Sequence, residues 1–198
     1  MYLCTAMTIE THPLQPFLPP NGRILFLGSF PPPLKRWSMD FFYPNWINDF
    51  WRIMGILFFQ DAQHFVAEGE KRFDEVRIKD FAQTQGLAFF DTAYRVCRLR
   101  ENASDAHLQI VEPSRLDELL APMPLCTDVV TTGGKASEEL LAQMQRLSPK
   151  AVSLPPIGQS VQLQVCGRQI RWWRMPSTSR AYPLSLAKKA EFYSVLFP

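Results

Sequence analysis

The sequence predicts an α/β fold in which helices cover both faces of a mostly parallel sheet. Three runs of apolar or β-branched residues have the composition of buried strands, and each stops abruptly at glycine or at a polar residue. These runs are residues 24–27, 87–90 and 127–132. Segments with the helical spacing of apolar residues separate them. Strands that alternate with helices pair in parallel through right-handed crossovers.

The segments between these runs predict the remaining elements in chain order. Residues 51–59 are apolar on too many faces for a solvent-exposed helix, which predicts a buried one. Residues 64–81 are amphipathic and predict a helix and a turn. Ser114 precedes the sequence RLDELLAPM as a helix cap, and residues 135–147 have helical spacing after a glycine turn. Short strands at 152–154, 161–165 and 170–173 and a helix at 185–197 complete the prediction.

The composition is that of one globular domain. The chain has 198 residues, of which 46% are hydrophobic and 20% are charged, so we expect a single domain over residues 1–198. The prolines among residues 1–22 favour an extended arm over a helix there. The formal net charge of +2 is too small to argue for nucleic acid by itself.

The cysteines and the apolar runs exclude several other classes of protein. The four cysteines are widely scattered without a close pair, so we expect reduced thiols, no metal site, no metal cluster and no cofactor. No run approaches the roughly 20 apolar residues that cross a bilayer, and the N-terminus lacks a signal-peptide pattern. We therefore expect a cytoplasmic protein that does not associate with membranes.

Three polar segments follow predicted strands and are expected to form one site. They are residues 28–48, 91–100 and 176–182, and the carboxyl ends of parallel strands meet at one edge of a sheet. The first of them mixes many aromatic side chains with carboxylates and amides. That mixture is typical of a pocket for a planar, hydrogen-bonding ligand such as a nucleobase, although the same aromatics would also suit an ordinary core.

Five ordered segments resemble the uracil-DNA glycosylase superfamily, most closely its hypoxanthine-DNA glycosylase and mismatch-specific uracil-DNA glycosylase branches. The segments are THPLQPFLPPNGRILFLGSFP, YPNWINDFW, GLAFFDTAYRVCR, TTGGKA and MPSTSRA. The resemblance implies a three-layer α/β/α sandwich with a short central sheet. It also implies a monofunctional enzyme that flips a deaminated base, hypoxanthine or uracil, out of single-stranded or mismatched DNA and hydrolyses its bond to deoxyribose. Nothing in the sequence demands more than a monomer.

The resemblance also implies roles for residues of the first segment. Gly28, Ser29 and Phe30 would line the base pocket, and Tyr43 would stack on the flipped base. Phe30 stands where better-known branches have a catalytic carboxylate or amide. The hypoxanthine-type branch uses the Asn of N-x-F-W instead, which corresponds to Asn48. Asn48 would then orient the attacking water, unless it merely caps the next helix, and Asp49 or Asp40 could supply a carboxylate.

The remaining implied residues contact the base edge and the phosphates. Asp91 would read the Watson–Crick edge of the base, unless it only holds the following loop through backbone amides. Met175 replaces a histidine that stabilises the leaving base in common uracil enzymes. The residues implied for phosphate contact are Ser177, Thr178, Ser179 and Arg180, with Tyr182 or Leu184 as the wedge and with Arg95, Arg98 and Arg100 as a strip along the backbone.

Two other functions are compatible with the sequence. Phe30, Met175 and Pro32 depart from the superfamily pattern, and these departures favour a protein of the same fold that binds nucleic acid or a modified base without cutting. A hydrolase of free nucleosides is the third reading.

Overall fold

The computed structural model describes residues 9–98, 108–147 and 152–197. Its strands are β1 (Ile9–Thr11), β2 (Ile24–Gly28), β3 (Leu87–Asp91), β4 (Ala93–Arg98), β5 (Leu108–Pro113), β6 (Asp128–Thr132), β7 (Gln159–Val165) and β8 (Arg168–Met175). Its helices are α1 (Phe50–Phe59), α2 (Glu75–Gln85), α3 (Leu116–Leu120), α4 (Gly134–Leu147) and α5 (Leu186–Ser194), and a short 3-10 helix spans Leu34–Arg36.

A five-stranded central sheet flanked by helices confirms the predicted fold class. The strand order is β3-β2-β6-β8-β7. The first four strands are parallel, and β7 pairs antiparallel with β8 at one edge. Every residue of β3 and β6 is buried, because helices cover both faces of a parallel sheet of this kind. The carboxyl ends of β2, β3, β6 and β8 therefore lie at one edge.

Most of the aromatic side chains after β2 belong to the hydrophobic core. Phe41, Phe42, Phe50 and Trp51 are buried, and all four rings pack around Phe89 of β3. Aromatic pairs at such distances contribute beyond the area they bury. The core interpretation thus holds for these rings.

A second sheet, which the sequence did not predict, lies beside the central one. It is antiparallel, with the order β1-β4-β5. The segment after β3 was expected to be a polar loop, but only Thr92 separates β3 from β4. Arg95 and Arg98 therefore stand on a strand and not in a loop, while Arg100 lies outside the described residues. Residues Ile9–Thr11 of the N-terminal arm form β1, the partner of β4.

Three local predictions are corrected by the structure. Arg115, not Ser114, precedes α3 as its N-terminal cap, and Ser114 Oγ is buried without a hydrogen-bond partner in the described ranges. The helix expected at 64–81 begins only at Glu75, where the Asp74 side chain accepts a hydrogen bond from the Arg77 N–H. The segment 152–154 forms no strand.

None of the described helices is both long enough and apolar enough to cross a bilayer.

Candidate active site

A cavity of about 640 Å³ opens at the carboxyl ends of the parallel strands. Gly28, Asp91 and Thr132, the last residues of β2, β3 and β6, lie in its wall. The rest of the wall comes mainly from three loops, residues 29–32, 42–48 and 177–183. Leu14 and Arg36 also line the cavity but lie outside these loops. Ten of the predicted site residues line it, namely Gly28, Ser29, Phe30, Tyr43, Asn48, Asp91, Ser177, Thr178, Ser179 and Tyr182.

Tyr43 presents an aromatic ring at the cavity wall. Its ring stacks on Phe50, with 4.0 Å between the centroids and 6° between the planes. Its hydroxyl lies 3.0 Å from the hydroxyl of Thr132, and its φ of 55° places it in the left-handed region. Burial raises the pKa of the phenol well above its usual value, against a smaller opposing effect of the Thr132 hydrogen bond. Tyr43 is therefore neutral and held on one face by α1.

Asn48 lies in the cavity wall and also holds the start of α1. Its Oδ1 accepts a hydrogen bond from the N–H of Phe50, the first residue of α1, at 2.8 Å, although Asp49 and not Asn48 is the N-cap residue of that helix. An amide oxygen has a second lone pair, and the amide nitrogen carries two donors. Asn48 thus retains capacity for a ligand or a water molecule.

Asp49 is not part of the cavity wall. Both of its oxygens are engaged, one by Lys189 Nζ at 2.9 Å and the other by Arg180 Nε at 3.0 Å. The Lys189 side chain is fully buried, and that of Asp49 is 7% exposed. The carboxylate is therefore a buried ion-pair partner, and the geometry does not bring it to the predicted catalytic position. Asp40 is exposed and also lies outside the wall.

The loop after β8 is fastened at several points beside the cavity. Tyr193 of α5 donates a hydrogen bond to the Pro176 carbonyl at 2.9 Å, and Lys189 Nζ donates to the Ser179 carbonyl at 2.8 Å. Within the loop, Ser177 Oγ and Ser179 Oγ accept backbone N–H groups. Each serine hydroxyl keeps its own proton to donate to a ligand.

Two predicted phosphate residues lie away from the cavity. The Arg98 guanidinium donates to Glu10 and to the Pro31 carbonyl, the latter at 2.7 Å, and lies 5.4 Å from the centre of the Phe30 ring. Arg95 forms a pair with Glu112 at 3.5 Å. Arg98 thus fixes the loop that carries Phe30, and neither arginine is in the cavity wall.

His12 is the site residue that sequence reasoning missed. Its side chain is fully buried, and its Nε2 lies 2.9 Å from Asp91 Oδ2. Its ring packs against Phe30, Phe42 and Phe90. The sequence shows His12 only as a single histidine in a segment interpreted as a surface arm. A single histidine does not indicate that its partner, Asp91, lies 79 positions away in the chain.

Arg36 is a second residue that the sequence did not single out. It lies in the 3-10 helix, is exposed and reaches the cavity wall. Nothing in the proline-rich sequence around it indicated this position.

The described residues contain no group of three or more His, Cys, Asp or Glu side chains that could hold a metal ion.

The fold, but no sequence family, links the chain to known proteins. No family model matches it, and no curated protein matches it. A solved structure with a similar fold is the solution NMR structure of a "putative Uracil DNA glycosylase" from Methanosarcina acetivorans. The chains are 20% identical, the alignment covers 96% of this chain and 99% of that chain, and the TM-score is 0.57. At this identity the likeness shows the fold, and the activity must be argued from the site.

Proposed function

We propose that this chain is a monofunctional DNA glycosylase that hydrolyses the N-glycosidic bond of a flipped, deaminated base, hypoxanthine or uracil. The observation that carries the proposal is one cavity whose wall contains a stacking ring, a carboxylate and an amide, namely Tyr43, Asp91 and Asn48. Its volume of about 640 Å³ lies within the usual range for small-molecule sites. The similar fold of the Methanosarcina protein supports the same assignment.

The proposed chemistry requires few groups. Cleavage of a glycosidic bond passes through an oxocarbenium-like sugar, which water attacks as the base departs. Asn48 would orient that water through its amide, since an amide is a poor base but a good hydrogen-bonding group. Phe50 holds Tyr43 on one face, and Tyr43 lines the cavity, so the base would stack on the opposite face of the ring. No cofactor enters this scheme.

The proposed DNA contacts lie at the rim of the cavity. Ser177 and Ser179 can donate their hydroxyl protons to phosphate oxygens beside the flipped nucleotide. Arg36 is exposed in the wall, whereas Arg180 lies between two wall residues in the chain, is not itself in the wall, and is partly exposed while it contacts Asp49. These two cations would take the place of the strip that Arg95, Arg98 and Arg100 were expected to form. We infer that the partner is DNA, single-stranded or mismatched, bound by a monomer.

Base release tests the proposal directly. Oligonucleotides that carry hypoxanthine or uracil, single-stranded or mismatched, are incubated with the protein, and alkali-labile strand breaks are measured. Wild type is expected to release at least one of these bases, and Asn48→Ala to reduce release at least about 100-fold, the scale of a lost catalytic hydrogen bond. No release from any substrate at excess protein would refute the proposal.

Two further variants separate chemistry from folding. Asn48→Asp keeps an oxygen for the Phe50 N–H, so its melting temperature should stay near that of wild type even if catalysis changes. Asn45→Ala is the matched control, because Asn45 also lines the cavity and its side chain also accepts a backbone N–H, from Ile47 at 3.2 Å. Loss of release in Asn45→Ala equal to that in Asn48→Ala would remove the catalytic assignment of Asn48.

A second candidate is a protein that binds a flipped base without cutting. It is favoured by Phe30, which is packed in a small apolar cluster and supplies no polar group, and by the existing bond between Asn48 Oδ1 and Phe50. It predicts salt-sensitive binding of the same oligonucleotides without abasic product. Turnover that Asn48→Ala abolishes would reject it.

A further inference from the structure

A buried histidine supports the carboxylate at the inner end of the cavity. Asp91 is the last residue of β3, and its Oδ2 pairs with His12 Nε2 at 2.9 Å. The His12 side chain is fully buried and does not line the cavity, whereas Asp91 does. Oδ1 is therefore the Asp91 oxygen that remains for a ligand.

The backbone around His12 supports its ring from the other side. Nδ1 lies 3.1 Å from the Leu14 nitrogen, which donates to it, and 2.9 Å from the Leu14 carbonyl. The backbone N–H of His12 itself donates to the Tyr94 carbonyl at 2.8 Å. An ionised carboxylate only accepts hydrogen bonds, so pairing with it requires the proton on Nε2. The two Leu14 groups make opposite demands on Nδ1, since the N–H needs its lone pair and the carbonyl needs a proton there, so the proton on Nε2 is assigned from the Asp91 carboxylate alone.

The main chain beside Asp91 is shaped to the carboxylate. A Cβ placed on Gly28 would lie 2.5 Å from Asp91 Oδ1, so only glycine leaves room for that oxygen at its present position. The position of Asp91 is thus fixed through Oδ2 by His12 and beside Oδ1 by the bare backbone of β2.

We propose that His12 is a positioning residue that makes Asp91 Oδ1 a fixed acceptor for the ring N–H of a deaminated base. The inference rests on the proposed function and deepens it. Hypoxanthine and uracil each carry a proton on the ring nitrogen of the Watson–Crick edge, whereas adenine and cytosine carry a lone pair there. In the proposed complex Asp91 Oδ1 lies opposite that ring nitrogen, where an acceptor binds the N–H of the first pair of bases and repels the lone pair of the second; a carboxylate placed opposite the exocyclic amino group would instead favour adenine and cytosine. The His12–Asp91 pair therefore separates a deaminated base from its parent.

The other ionisable groups near the pair do not replace His12. The Tyr43 phenol is neutral, because burial keeps its pKa well above the usual value. Arg98 and Glu10 pair with each other behind Phe30, whose ring packs edge-on against His12. Among these groups His12 is the one within hydrogen-bond distance of Asp91.

Discrimination between bases tests the proposal. The readout is the ratio of affinities for single-stranded oligonucleotides with hypoxanthine or adenine at one position, where a 2′-fluorine on the sugar blocks cleavage. His12→Leu is expected to lower this ratio about tenfold to one hundredfold, the range for one hydrogen bond to a charged group. His12→Gln, which keeps an N–H donor, should retain most of it. In Asp91→Ala, adding His12→Leu should change nothing further.

Several outcomes would overturn the inference. An unchanged ratio in His12→Leu would do so, as would equal losses of affinity for both bases, which indicate a merely structural role. His64→Leu is the matched control, since that ring stacks on Phe59 outside the cavity wall. If His12→Leu does not fold, the affinity ratio is compared between His12→Gln and His12→Asn. Only the longer side chain of glutamine can reach Asp91, so His12→Gln should keep most of the ratio and His12→Asn should lose it. Absence of base release by wild type would refute the proposed function alone, since the affinity ratio is measured without cleavage.

Discussion

Replacing Lys189 with methionine should destabilise the protein by about 3 kcal/mol. The Lys189 side chain is fully buried and lies 2.9 Å from Asp49. Removing one partner of a buried ion pair costs about 3–5 kcal/mol, because the other charge stays buried. Asp49 keeps Arg180 at 3.0 Å, so we take the lower end of that range. Methionine preserves most of the apolar stem, so lost packing adds little.

The loss is measurable by urea unfolding at pH 7, followed by tryptophan fluorescence. A change of 1 kcal/mol moves the melting temperature by about 2–4 °C in a domain of this size, so about 3 kcal/mol corresponds to roughly 6–12 °C. Lys188→Met is the matched control. Lys188 is half-exposed and pairs with Glu191 at the surface, so its loss should cost less than about 0.5 kcal/mol.

A double variant tests the physical reason. Asp49→Leu combined with Lys189→Met removes both charges, and it should be more stable than Lys189→Met alone. A loss below about 1 kcal/mol in Lys189→Met would refute the reasoning, as would an equal loss in Lys188→Met. A double variant less stable than either single variant would show that the charges themselves are not responsible.

Three other predictions follow from contacts at the site. Burial raises the pKa of Tyr193 well above 10.0, so the unfolded chain releases this proton first. Above pH 10 this group should therefore lower the free energy of unfolding by up to about 1.4 kcal/mol per pH unit. When the free energy of unfolding is measured by urea titration at several pH values, Tyr193→Phe should lack this contribution to its pH dependence. Gly28→Ala places a methyl group 2.5 Å from Asp91 Oδ1. Fluorescence anisotropy should then detect at least about tenfold weaker binding of an oligonucleotide that contains hypoxanthine. Unchanged binding would contradict the proposed position of the base. Arg98→Met loses a hydrogen bond of 2.7 Å to the proline loop and should lower stability in thermal unfolding by about 1–3 kcal/mol, whereas Arg95→Met, at an exposed pair, should cost under about 0.5 kcal/mol.

The central sheet could be predicted because its strands have strong local signals. The runs at 24–27, 87–90 and 127–132 became β2, β3 and β6 with shifts of one residue at their ends. Apolar composition, abrupt ends and alternation with helices are properties of short windows, and the handedness rule then limits the topologies. The meeting of the loops after β2 and β8 with Asp91 at one cavity follows from the same parallel order.

The outer sheet could not be predicted because its partners are distant in the chain. Arg95 and Arg98 gave β4 the composition of a polar loop, yet Val96 and Cys97 between them are buried. Pairing with β1 and β5 decides the conformation there, and such tertiary context overrides local propensity.

The interactions that fix the site were missed for the same reason. Lys189 and Asp49 are 140 positions apart, and nothing in either local sequence indicates the other. The position of Asp49 beside Asn48 therefore suggests a catalytic carboxylate, whereas in the structure Asp49 is buried and forms ion pairs with Lys189 and Arg180.

The attachment of the loop after β8 to α5 ties the geometry of the site to the local stability of one helix. Tyr193 and Lys189 both hold this loop from α5, and neither of these two contacts involves a residue of the sheet. A partial opening that detaches α5 would free the loop, so the proposed binding of DNA should be lost before the protein unfolds globally. Hydrogen exchange of the α5 amides should then report the same opening free energy as the loss of binding in mild denaturant.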